Sequence, residues 1–127
     1  MPKSVPALPA EEASSLPFSQ IVEASGLVFV AGQVGNAPGS SGPVPGGIEA
    51  ETRQMLENVG RLLRAVGLDY QDVVKATVYL RNFGDFAAMN GVYRDFFSTE
   101  PPTRATVGVS ALAADYTIEI EVIAARR

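Results

Sequence analysis

Six residues near the end of the chain, Thr117-Ile118-Glu119-Ile120-Glu121-Val122, alternate strictly between polar and β-branched apolar side chains. Successive side chains of a strand point to opposite faces, so this run demands a sheet with one buried and one polar face. A second strand-like run, Thr103-Arg104-Ala105-Thr106-Val107, follows Pro101-Pro102, which cannot continue a helix. By the same count Ala105, Val107 and Val109 point one way, and Arg104, Thr106 and Gly108 the other. The apolar sets are expected beneath whatever covers the sheet. The polar sets, Arg104 with Glu119 and Glu121, are expected together on its opposite face.

The remaining chain supplies the cover. Residues 17–24 and 27–34 read as strands joined by a tight turn at Ser25-Gly26. The segment 35–47, rich in Gly, Pro and Ser, is a loop. Over 48–66, Ile48, Thr52, Met55, Leu56, Val59, Leu62, Leu63 and Val66 recur at helical spacing, and Gly67 is a stop. Glu49/Arg53 and Glu57/Arg61 are four apart, on the wet side of that helix. Residues 72–81 read as a strand. Residues 85–97 read as a helix with Asp85 at its N-cap and Phe86, Met89, Tyr93, Phe96 and Phe97 as its buried stripe, Asn90 lying off it. Strands near 103–110 and 117–125 close the chain. The predicted order is β-β-α-β-α-β-β, an α+β domain over 17–127, preceded by an irregular arm, 1–16, that carries Pro2, Pro6 and Pro9. Two one-sided helices cover one sheet face only. The bare face needs a partner, which predicts an oligomer.

The 127 residues contain no His and no Cys. That excludes disulfides, thiolate catalysis, Cys-ligated zinc and a Ser-His-Asp triad. The net charge of −4 and the scattered Lys and Arg speak against a nucleic-acid partner. The N-terminus lacks the apolar segment of a signal peptide, and no run is long enough to span a membrane. A cytoplasmic protein is expected, with no membrane partner. The 35–47 loop lacks the spacing of a phosphate cradle, and no metal-ligand spacing occurs.

Chemistry is left to Arg104, to the carboxylates and to amides, hydroxyls and backbone. Arg104 reads either as the partner of Glu119 or Glu121, or as a two-point anchor for a substrate carboxylate. A strand glutamate reads as an exposed charge or as a base that orients water, and parity does not choose between Glu119 and Glu121.

The chain resembles the YjgF/RidA family of enamine/imine deaminases. The resemblance runs from about Pro17 to Ala124, through Pro17-Phe18-Ser19-Gln20, Leu27-Val28-Phe29-Val30-Ala31-Gly32-Gln33, Gly46-Gly47-Ile48 with Asn58, Val73-Val74-Lys75-Ala76-Thr77-Val78-Tyr79-Leu80, Phe86-Ala87-Ala88-Met89-Asn90-Gly91-Val92-Tyr93, Pro102-Thr103-Arg104 and Ile118-Glu119-Ile120-Glu121. It implies a chorismate-mutase-like fold, a homotrimer with clefts between subunits, and cofactor-independent hydrolysis of 2-imino acids to 2-keto acids and ammonia. Arg104 would hold the carboxylate and Glu119, favoured over Glu121, would place the water. Asn90, Thr106, Phe18 and Ala31 would line the cleft. Phe18, Ala31, Thr103 and Thr106 stand where active members often have Tyr, Ser, Ala and Cys, which points to a divergent paralogue. The alternative is a non-catalytic carboxylate-binding protein that uses the same cleft.

Overall fold

Ser25 and Gly26 both adopt positive φ (53° and 78°), the backbone of a tight hairpin turn whose twist matches its strands. They join β1 (Ile21–Ala24) to β2 (Leu27–Val34) with Ala24 opposite Leu27. The computed structural model describes residues 2–127 and continues with α1 (Gly47–Ala65), β3 (Val73–Leu80), α2 (Phe86–Phe96), β4 (Thr103–Gly108) and β5 (Ile118–Ala125). The order is the expected one, and the fold is α+β. The strands form one sheet in the order β1-β2-β5-β3-β4, parallel between β3 and β4 and antiparallel elsewhere.

Both helices lie on one sheet face. Leu56, Val59 and Leu63 of α1 and Met89 of α2 share one core with Val78 of β3 and Ile118 and Ile120 of β5. Each such side chain contributes about 1.5–3 kcal/mol through burial. Gly67 (φ 81°) ends α1 as its sequence position predicts, with its N–H on the Arg64 carbonyl and the Leu68 N–H on that of Leu63. The opposite face is bare: Phe29 and Val107 point outward, 39 % and 40 % exposed, beside Tyr79 and Glu121.

Two buried polar side chains of α1 fix the loops around the sheet. Glu51 accepts from the backbone N–H (2.8 Å) and hydroxyl (2.6 Å) of Thr117, just before β5. Asn58 donates to the carbonyls of Val34 (2.8 Å) and Asn36 (3.0 Å), where β2 gives way to the Gly/Pro loop.

Several local expectations are corrected. The first strand begins at Ile21 rather than at residue 17, because Pro17 and a tight turn from the Phe18 N–H to the Leu16 carbonyl hold the preceding residues out of the ladder. The arm is partly ordered onto the domain: Ser4 exchanges two backbone hydrogen bonds with Glu23, and Glu12, on a short 3-10 turn, pairs with Arg61 at 2.5 Å. Arg61 therefore answers Glu12, and Arg53 answers Asp95 of α2, rather than their i−4 glutamates. Asp85 precedes α2 without a capping bond from its side chain. Asn82 caps the 3-10 turn before it, accepting from the Gly84 N–H.

Replacing Asn58 with Ala strands two carbonyls. Urea denaturation should show a loss of about 1–3 kcal/mol with an unchanged m-value.

Candidate active site

Residue register decides where Arg104 points. β4 is an edge strand paired in parallel with β3, so that Arg104 lies beside Ala76 and Thr106 beside Val78. Ala76 and Val78 are fully buried under the helices. Arg104 and Thr106 therefore lie on the helix side, and it is Ala105 and Val107 that face outward. This overturns the expectation that the polar set of β4 shares a face with the glutamates. The physical reason is the company α2 provides: the Arg104 guanidinium carbon sits 4.7 Å from the ring centre of Tyr93 and 5.5 Å from that of Phe86. Aromatic faces accept a cation there.

Asn90 is half-buried on the same helix stripe as Phe86, Tyr93 and Phe97 rather than off it, being four residues from the first and three from the second. With Tyr93, Arg94, Phe97, Pro102 and Arg104 it lines a pocket of about 350 Å³. Among the described residues Arg104 has no hydrogen-bond or ion-pair acceptor, although the chain carries 14 carboxylate side chains. The nearby Thr106 and Tyr93 hydroxyls are enclosed and likewise unpartnered. Burial pushes the Tyr93 hydroxyl above its ordinary pKa, which the Arg104 charge partly offsets.

Glu119 lies on the other face of the sheet, opposite Tyr79 of β3. Its carboxylate rests over Gly32, where an added Cβ would come within 2.1 Å of Oε2. Gly32 reaches that position through an irregularity in β2: Val30 pairs with Val122, but Gln33 pairs with Ile120, so one extra residue bulges out of the ladder. The bulge is held at Ala31, whose N–H donates to the Gln20 carbonyl and whose carbonyl accepts from the Gln33 side chain. Glu119, Gly32, Gln20, Gln33 and Phe18 belong to the wall of a cavity of about 710 Å³. Phe18 is 49 % exposed. Ala31 serves this cavity from its backbone, one residue away from the wall.

The structure also separates the two glutamates that parity left equivalent. Glu121 accepts the Tyr79 hydroxyl at 2.5 Å, which, with burial, pushes that phenol up to about 12. Glu119 has no such partner among the described residues. Burial first, and the Glu121 charge second, raise its pKa above the ordinary 4.5. Gly32, Tyr93 and Phe86 are site features missed at the sequence level. The glycine within a strand run was an available sign of a bulge, whereas the two aromatics read as ordinary core.

The predicted site residues thus form two groups on opposite sides of one sheet, Arg104, Asn90 and Thr106 on one and Glu119, Phe18 and Ala31 on the other. The sequence profile described as Endoribonuclease L-PSP matches residues 9–126. The chain belongs to this family, known also as YjgF/RidA. It is 45 % identical over 108 residues to a RutC family protein of Pyrococcus horikoshii, spanning 85 % of this chain and 86 % of that one. It is 44 % identical to the 2-iminobutanoate/2-iminopropanoate deaminase of Capra hircus, spanning 85 % and 79 %. The solved structure of E. coli TdcF with bound serine matches with a TM-score of 0.85 and 35 % identity, over 94 % of this chain and 98 % of that chain. Membership in the family agrees with the α+β fold. No helix among the described residues is long and apolar enough to cross a membrane.

The raised Glu119 pKa has a sign that can be checked. Well below 4.5 the carboxyl is protonated in folded and unfolded chains alike; as pH rises from 4.5 to the higher folded value, the unfolded chain ionises first, so stability is lost until that value is passed. Glu119→Gln should therefore melt at a higher temperature than wild type at pH 7, and the difference should close below pH 4.5.

Proposed function

We propose that this protein hydrolyses 2-imino acids, and their enamine tautomers, to 2-keto acids and ammonia without a cofactor. One observation carries the reading. Arg104 presents a guanidinium that no acceptor among the described residues answers, at the wall of a pocket it shares with Asn90. A planar fork left free in this way fits a carboxylate at two points. The names of the relatives, imine deaminases at 40–44 % identity, support the reaction class.

In this reading Arg104 and Glu119 act on one substrate from two chains. They project from opposite faces of a single sheet, so the Arg104 side of one copy meets the Glu119 side of its neighbour. The bare outer face, with Phe29 and Val107, supplies an apolar surface for that contact, and we propose a homotrimer. The substrate carboxylate binds Arg104, and Asn90 and Thr106 line that end. Glu119 takes a proton from water as its oxygen bonds to C2, and the C=N electron pair moves to nitrogen. The same carboxyl returns the proton to the nitrogen. The carbinolamine then loses ammonia as its C–N bond breaks, its hydroxyl proton passing by way of the Glu119 carboxylate to the departing nitrogen as the keto group forms. A carboxylate whose pKa stands above the ordinary value suits both proton transfers. Phe18 gives the Glu119 end an apolar wall and no hydroxyl.

The test supplies 2-iminopropanoate generated in situ by an amino-acid oxidase and follows keto acid release. Arg104→Ala should lower kcat/KM on the order of 100-fold, and Arg104→Lys less, because the point charge survives without the fork. Equal rates for wild type, Arg104→Ala and the spontaneous reaction would reject the proposal. Saturable binding of 2-oxobutanoate without turnover would favour a carrier instead. Light scattering at micromolar concentration should give three times the chain mass; a monomer would remove the shared site.

A further inference from the structure

We infer that Tyr93 is a positioning residue whose ring face holds the Arg104 guanidinium ready for the substrate carboxylate. The inference rests on the anchor role proposed above for Arg104. An arginine side chain carries about 2 kcal/mol of rotamer freedom, and an anchor left to explore it would bind weakly. Binding arginines are commonly fixed by a neighbouring carboxylate, but among the described residues Arg104 has none. What it has is two aromatic rings, Tyr93 at 4.7 Å and Phe86 at 5.5 Å from the guanidinium carbon.

The difference between the two kinds of support is geometric. A carboxylate would occupy the in-plane N–H fork, the part of arginine that must meet the substrate. An aromatic ring occupies the guanidinium face and leaves the fork free. Tyr93 is itself enclosed: it is 7 % exposed and packs at 4.6 Å against Phe97, which is 5 % exposed. Phe86 is less enclosed and more distant, so the nearer and more enclosed ring is assigned the larger share. The Tyr93 hydroxyl is enclosed and has no hydrogen-bond partner among the described residues. It adds no structural bond, so the ring is the part that acts.

The test combines substitution with a direct view of the arginine. In wild-type protein the Arg104 side-chain resonances should be displaced upfield by ring current. Tyr93→Phe, the conservative rescue, should keep that displacement, keep KM within about threefold, and melt no lower than wild type. Tyr93→Leu should abolish most of the displacement and raise KM about tenfold, with kcat changed far less. Phe86→Leu should do the same more weakly, and serves if Tyr93→Leu does not fold. In an Arg104→Ala background Tyr93→Leu should add nothing, whereas a purely structural role would multiply the two losses. Arg104 signals at random-coil positions, multiplicative losses, or a Tyr93→Phe variant as impaired as Tyr93→Leu would each overturn the inference. Failure of the anchor reading looks different: ring-current displacement is present, but Arg104→Ala leaves turnover unchanged.

Discussion

β5 hydrogen-bonds to β2 along one edge and to β3 along the other, so the last strand of the chain lies at the middle of the sheet. Ile118, Ile120, Val122 and Ala124 point beneath the helices with at most 2 % exposure, while Glu119 and Glu121 project to the far side. A one-residue slip would bury two carboxylates and expose the core, which would cost more than the fold's whole margin of about 5–15 kcal/mol. The same alternation that holds the sheet together therefore fixes Glu119. Glu51, reaching from α1 to Thr117, secures the register at the point where the strand begins.

The two ends of the candidate site depend on different physics. At the Glu119 end a backbone irregularity does the work. One extra residue in β2 brings Gly32 under the carboxylate, and a Cβ there would come within 2.1 Å of its Oε2, so that a larger residue would displace Glu119 from this position. Partial burial and a second glutamate two residues along then favour the protonated form. At the Arg104 end the arrangement is a cation laid on aromatic faces, with no acceptor among the described residues on its hydrogen-bonding edge. An acid/base group and an anion anchor are what hydrolysis of a carboxylate-bearing imine requires. Their placement on opposite sheet faces is what makes a second chain part of the proposal.

Much of the fold was legible in the sequence. Strict alternation marked β5, the leucine and valine spacing marked α1, and Ser25-Gly26 and Gly67 marked a turn and a stop. The face of Arg104 was not legible. Polar-out parity holds for a strand whose inner face meets only apolar groups, and β4 instead meets α2 through Tyr93 and Phe86, which can take a guanidinium inward. Its parallel pairing to β3, which aligns Arg104 with Ala76, is likewise a tertiary fact. The pairing of Arg61 with Glu12, forty-nine positions apart, escaped for the same reason: local spacing offered Glu57, and the folded chain supplied a buried partner instead.

The central claim is that Arg104 and Glu119 serve one substrate from two chains, and subunit mixing tests it most directly. Arg104→Ala and Glu119→Gln proteins, each strongly impaired alone, are unfolded together in equal amounts and refolded. If the site is shared, an interface with both native residues forms about one time in four, and imine hydrolysis returns to roughly a quarter of the wild-type rate. If mixed assemblies form and stay inactive, the two residues do not work across a subunit boundary and the account is wrong.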